Sequence, residues 1–312
     1  VTAEASGSVV KAGTALAVLV DGLIDYAGLF PPAALAMPAA VAAYARYAIG
    51  PDRAMLGRFV VPAARLVEFT AAVDALPHGA PTPRAPWRLS VLASAADAPS
   101  LTEWSATSGG CLAIDTVEAK ASTLDEIAAL VGVPTGVFGS GVTVYVELPV
   151  REDPSALIAA LAPHGLRAKI RTGGVTPEAF PTPSEVVRFL SACVQAGVPF
   201  KATAGLHHPM RGEYALTYEV TAPRGMMYGY LNVFLAAALL WQGKAEAEVL
   251  PLLEEREAHA IVIEPSRLRW RAHQLDIETL TRFRATFAGS FGSCAFDEPV
   301  QELAHLITAG SR

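Results

Sequence analysis

Only five of the 24 basic residues are lysines, and two of them hold matching places in short β-like runs. One run reads Ala168-Lys169-Ile170-Arg171-Thr172-Gly173-Gly174, the other Phe200-Lys201-Ala202-Thr203-Ala204-Gly205. Strand side chains alternate between faces. With Ile170 and Phe200 turned outward, Lys169, Arg171, Lys201 and Thr203 all point inward. Neighbouring strands lie about 4.8 Å apart, so the two ammonium groups become neighbours. Their repulsion, together with burial, predicts that one pKa falls. A neutral amine can add to a carbonyl carbon and form a Schiff base. The residues alone leave open which lysine is that nucleophile. Arg171, Thr172, Gly173, Thr203 and Gly205 could hold an anionic or hydroxylated substrate. Glu147 shares a face with Tyr145 in the run 143–148, Asp115 ends the run 111–116, Glu264 ends 260–264, and Arg58 lies within 55–62. Asp115 or Glu147 would move protons. Arg58 would join Arg171 at the anionic group, and Glu264 falls at the rim. A structural ion-pair layer of the lysines with Asp115, Glu147 and Glu264 would satisfy the same residues, because buried charges are usually paired. Two lysines clustered at one rim favour function.

Other residues offer rival chemistry. His207 and His208 follow the second lysine run. In extended backbone they face opposite ways, so one ion takes only one of them unless the chain turns. With Glu147, Asp115 or Glu264, that histidine could ligate zinc or manganese. The result would be a metal-dependent lyase or hydrolase that polarises a carbonyl. Without a metal, a histidine here serves as acid–base group or holds a lid. Cys294 would need a base such as His207 or His273 to act as a nucleophile; otherwise it is simply buried. Cys111 and Cys193 read as core. Asp25 or Tyr26 could reach the site or shape a tight turn. Asn232 reads as an ordinary position of an apolar helix. Arg267, Arg269 and Arg271 read as a solvated strand face paired with acidic residues. A third possibility is a non-catalytic barrel that binds a small acidic ligand.

These residues need a scaffold. The chain has 312 residues, 52% of them apolar and 17% charged, which excludes a disordered chain. Net charge is −6, and no basic face marks a nucleic-acid partner. No basic-then-apolar leader opens the chain. The apolar stretch 15–29 is broken by Asp21 and Asp25, and the later run 233–241 falls far short of the roughly 20 residues of a membrane span. Three cysteines form no Cys-x-x-Cys pair. The expectation is a soluble, cytoplasmic protein with no cofactor and no membrane partner, acting on a small carbonyl compound and able to form a homo-oligomer. Short β-rich runs at 24–30, 55–62, 88–93, 111–116, 143–148, 168–171, 200–204 and 260–264 alternate with helical stretches. Eight such units predict an α/β fold, a (β/α)8 barrel over 1–312 as one domain. No Gly-x-Gly-x-x-Gly supports an open doubly wound sheet. Segment 207–227, with Tyr214, Tyr218, Met226 and Met227, is too long for an ordinary connection and reads as a lid. Segment 288–299 reads as a Gly/Ser-rich loop, and 77–86 as a surface loop.

The ordered pair Lys169-Ile-Arg-Thr172-Gly173 and Lys201-Ala202-Thr203-Ala-Gly205 resembles deoxyribose-phosphate aldolase and its class I aldolase relatives. Those enzymes carry Lys-x-x-Thr-Gly on strand six and Lys-Ala-Ser/Thr-x-Gly on strand seven. The resemblance covers about residues 166–208. It implies a carbon–carbon lyase in which Lys169 forms the Schiff base, Lys201 lowers its pKa and Asp115, on strand four, takes part in proton transfer. Arg171 departs from the small residue of the family motif, and His207-His208-Pro209 has no family counterpart. Glu264-Pro265-Ser266-Arg267 stands where a phosphate site is expected, which speaks against a phosphorylated substrate.

Overall fold

The computed structural model describes residues 7–77, 86–107, 112–131 and 141–310; Cys111 and most of the segment 77–86 lie outside them. Eight parallel strands close a barrel in the order β1–β13–β7–β6–β5–β4–β3–β2. They are β1 (Ile24–Tyr26), β2 (Leu56–Pro62), β3 (Trp87–Leu92), β4 (Leu112–Lys120), β5 (Thr143–Glu147), β6 (Arg167–Arg171), β7 (Phe200–Thr203) and β13 (Ala288–Ser293). Helices alternate with the strands, so the architecture is the expected (β/α)8 TIM barrel. Ala168 and Ile170 of β6, and Phe200 and Ala202 of β7, are fully buried under the helices. Lys169 and Lys201 therefore take the interior face, directly in register with each other. The connection between them is well punctuated. Thr182 and Glu185 form a capping box, Pro183 opens the helix Pro183–Ala196, and Gly197 ends it at φ 64°.

Two strand expectations are corrected. Residues 260–264 do not supply the eighth barrel strand. Ile261–Glu264 (β10) joins Arg267–Trp270 (β11) and His273–Asp276 (β12) in an antiparallel sheet of three strands outside the barrel. The physical reason is exposure: Val262 is 38% exposed, whereas a barrel strand buries both faces. The barrel is closed instead by β13, inside the segment expected to be a loop, which pairs with β1 and β7. Its small residues answer large neighbours. A Cβ on Gly289 would meet the Tyr145 hydroxyl at 2.4 Å, and Ser290 donates to Asp25 at 2.5 Å. The helix Ile277–Thr286 thus precedes the last barrel strand, and Asp297–Gly310 follows it.

The second correction is the length of β4, which runs four residues past Thr116 to Lys120. Segment 207–227 contains the hairpin β8 (Gly212–Ala215) and β9 (Arg224–Met227). Among the described residues no helix is long and apolar enough to cross a membrane.

Candidate active site

The barrel interior is a stack of charged layers. Near the amino ends of the strands, Asp115 is ion-paired with Arg58 and, at 2.6 Å, with Arg88. Asp115 falls at a register shift, where β3 pairs Leu89 with Ile114 and then Ser90 with Thr116. Burial alone would raise the Asp115 carboxyl, but Arg58 and Arg88 outweigh it and hold the group below its usual value. Asp115 and Arg58, expected at the catalytic rim, therefore lie at the other end of the barrel. Glu264 is outside it altogether, bound to Arg267 at 2.6 Å and Arg269 at 2.7 Å.

Above this layer runs a chain of alternating charges. Asp25 Oδ2 meets Lys201 Nζ at 2.7 Å, and Lys201 Nζ meets Glu118 Oε1 at 2.6 Å. Glu118 Oε2 meets Lys169 Nζ at 2.7 Å, Lys169 Nζ meets Glu147 Oε2 at 2.8 Å, and Glu147 Oε1 meets Arg171 Nε at 3.0 Å. Asp25, Glu118, Lys169 and Lys201 are all buried. The lysines are neighbours as expected, yet a carboxylate stands between them, so their repulsion does not dominate. Burial would lower the Lys201 amine, but Asp25 and Glu118 raise it above its ordinary value. Lys201 stays charged at neutral pH. Burial would raise the Glu118 carboxyl, and Lys169 and Lys201 instead hold it well below the carboxylate range. Glu147 is held down in the same way, chiefly by Lys169 and Arg171 against the opposing effect of burial.

A cavity of about 320 Å³ opens above this chain at the carboxyl ends of the strands, where barrel enzymes place their chemistry. Lys169 and Glu118 form its floor; Arg171, Thr203, Gly205, His207 and His208 line its wall. Lys201 lies beneath, only 1% exposed. Thr172 faces away from this space and donates to the Ala204 carbonyl at 2.6 Å. Gly205 has φ +74°, and a Cβ there would meet Gly173 Cα at 2.9 Å. Thr172 and Gly173 thus lock the ends of β6 and β7 together. Segment 207–227 lines the cavity through Ala215, Leu216, Thr217, Tyr218 and Met227.

The two histidines meet carboxylates that the sequence did not suggest, and His207 also meets Cys294, for which the sequence named it as a base. His207 Nδ1 lies 3.1 Å from Glu298 Oε2, and Cys294 Sγ lies 3.9 Å from His207 Nε2. His208 Nδ1 lies 2.8 Å from Glu302 and stacks on Tyr214. Ligand atoms of His208, Glu298 and Glu302 lie within 4.8 Å of one another. Each is engaged by a neighbouring group, Glu298 by both His207 and Tyr218, so the cluster reads as a hydrogen-bond network. The carboxylates proposed as partners of a metal histidine stand elsewhere: Glu147 in the charge chain, Asp115 at the amino end, Glu264 outside the barrel.

Sequence reasoning missed Glu118 and Glu298. Glu118 was within reach, because continuing the alternation from Thr116 puts it on the inner face. Glu298 carries no local signal, since it reaches the cavity only after β13 closes the barrel. Compared with family models, curated proteins and solved structures, the chain matches none of them.

Proposed function

We propose that the protein is a Schiff-base-forming carbon–carbon lyase of aldolase type, acting on a small carbonyl compound with an anionic group. The observation that carries this reading is the position of Lys169. Of the two lysines it alone borders the cavity, between two carboxylates within 2.8 Å. A purely structural ion-pair layer has no need to open onto a cavity of small-molecule size. Lys201, held charged below, is unsuited to nucleophilic attack.

The chemistry follows from the charge chain. Glu147 Oε2 is close to Lys169 Nζ but lacks a hydrogen bond, so it has acceptor capacity to spare. It takes the ammonium proton as a carbonyl carbon approaches. The amine adds, and the carbinolamine loses water, its oxygen receiving that proton. The protonated imine restores the positive charge that Lys169 had, so Glu118 and the re-ionised Glu147 are again paired with it. That cation then accepts the electron pair of the breaking carbon–carbon bond. Arg171, at the cavity wall, meets the anionic group. The strand-four acid of the resembling family corresponds in this reading to Glu118, the carboxylate that β4 turns inward at the level of the lysines.

Reductive trapping tests the assignment. The protein is incubated with small aldehydes and keto acids, treated with borohydride, and mapped by peptide mass spectrometry. A substrate-dependent adduct on Lys169, absent from a folded Lys169→Met variant, is the expected result. An adduct on Lys201 reverses the roles; no adduct across the panel overturns the mechanism.

A further inference from the structure

The wall of the cavity carries a second set of reactive groups that the lysine chemistry does not use. Cys294, His207, Tyr218 and Glu298 all line it. Cys294 Sγ is 3.9 Å from His207 Nε2, and the opposite ring nitrogen is 3.1 Å from Glu298 Oε2. The Tyr218 hydroxyl donates to the same Glu298 oxygen at 3.1 Å and lies 3.8 Å from the sulfur. A thiol, a base and a carboxylate that orients the base stand in sequence, with the Tyr218 hydroxyl touching both ends. That is the order needed to activate a nucleophile, and such contacts are often loose before substrate binds.

Three elements build the arrangement. Cys294 follows β13 directly, and Glu298 is in the first turn of the helix Asp297–Gly310. His207 sits just past the end of β7, a strand hydrogen-bonded to β13. Burial would lower the His207 ring, but Cys294 and Glu298 outweigh it and raise it to about 9. Phe30, Pro31, Leu216 and Met227 make the neighbouring wall apolar.

We propose that Cys294, His207 and Glu298 form a thiol-based acyl-transfer site that hydrolyses esters of short carboxylic acids. The cavity volume limits the acyl group, and the apolar wall receives it. In the first step the sulfur attacks the acyl carbon from an ion pair in which His207 Nε2 already holds the thiol proton, the state that the raised ring favours. The ester C–O bond breaks, and His207 returns the proton to the departing alkoxide, leaving a thioester on Cys294. In the second step water attacks the thioester carbon and gives its proton to His207. The thiolate leaves and is again paired with the protonated ring, so the products are a carboxylic acid and an alcohol. Glu298 holds the ring and balances its charge. The proposal stands independently of imine formation on Lys169.

The test uses p-nitrophenyl acetate with the full chain. A burst of nitrophenolate close to one equivalent is expected, with the acetyl group mapped to Cys294. Cys294→Ser and His207→Gln, with unchanged circular dichroism, should each slow acylation by about 10²-fold or more. Prior alkylation of the wild-type thiol with iodoacetamide should abolish the burst, which removes dependence on a variant's folding. No burst, a burst that survives alkylation of Cys294, or acetyl found on Lys169 instead would overturn the proposal. Because imine trapping reads Lys169 and acetylation reads Cys294, failure of one reading is distinguishable from failure of the other.

Discussion

The two oxygens of the Glu118 carboxylate face different ammonium groups, Lys201 at 2.6 Å and Lys169 at 2.7 Å, and Ser90 also donates to it at 2.5 Å. Replacing that charge with an amide leaves two buried cations short of a counter-charge. Breaking one buried pair typically costs about 3–5 kcal/mol, and Glu118→Gln is expected to lose at least that range's lower end in urea unfolding at neutral pH. The same carboxylate gives acid sensitivity a sign. Glu118 and Glu147 have folded pKa values below their unfolded ones. Their stabilisation is complete above about pH 5 and is lost as pH falls through the ordinary carboxylate range and below. The wild-type urea midpoint should therefore drop on acidification, and Glu118→Gln should flatten part of that slope. A midpoint that stayed constant across this range would contradict the buried charge chain.

At the scale of elements, the helix Tyr230–Trp241 shows how a polar residue in an apolar stretch acquires a role. Asn232 is fully buried. Its Oδ1 accepts from the Arg211 amide at 2.8 Å, and its Nδ2 donates to the carbonyls of Leu252 and Glu255 at 2.8 and 2.9 Å. One side chain thus ties the helix to the end of Glu246–Glu254 and to the segment that carries His207 and His208. An unsatisfied buried polar group costs about 1–3 kcal/mol. Asn232→Ala, which strands three backbone groups, is expected to lower stability by about 2–4 kcal/mol in chemical denaturation. A loss below about 0.5 kcal/mol, the range of ordinary surface substitutions, would refute this anchoring role.

Closure of the barrel is a property of the whole molecule. The strand that completes it, Ala288–Ser293, pairs with β1 on one side and β7 on the other. It therefore joins residues from near both ends of the described chain. Ending the protein after Phe287 removes that strand and the helix behind it, while keeping the whole sheet β10–β11–β12. Such a protein should show no cooperative thermal transition by circular dichroism, because β1 and β7 lose their shared partner. If it unfolded as cooperatively as the full chain, residues 288–293 would not be the closing strand.

Much of this was legible in the order of residues, because β and α periodicities are local. Alternating apolar runs and capped helices identified seven of the eight barrel strands, and the spacing of Lys169 and Lys201 placed both inside on adjacent strands. The last strand escaped notice for a physical reason. Its glycines and serines are small to make room for Tyr145 and Asp25, which arrive from other strands. Glu118 escaped for a related one, whereas Glu147 was already named beside the lysines. Inwardness follows from alternation, but height along the barrel depends on strand length and register. That height set Asp115 and Arg58 at the amino end and raised Glu118 and Glu147 to the lysines. The pairing of Cys294 with His207 and Glu298 could arise only in the closed barrel, since these groups converge through β7, β13 and the final helix. The residue types determined which chemistries were available; tertiary packing decided which charges meet, and so which lysine borders the cavity.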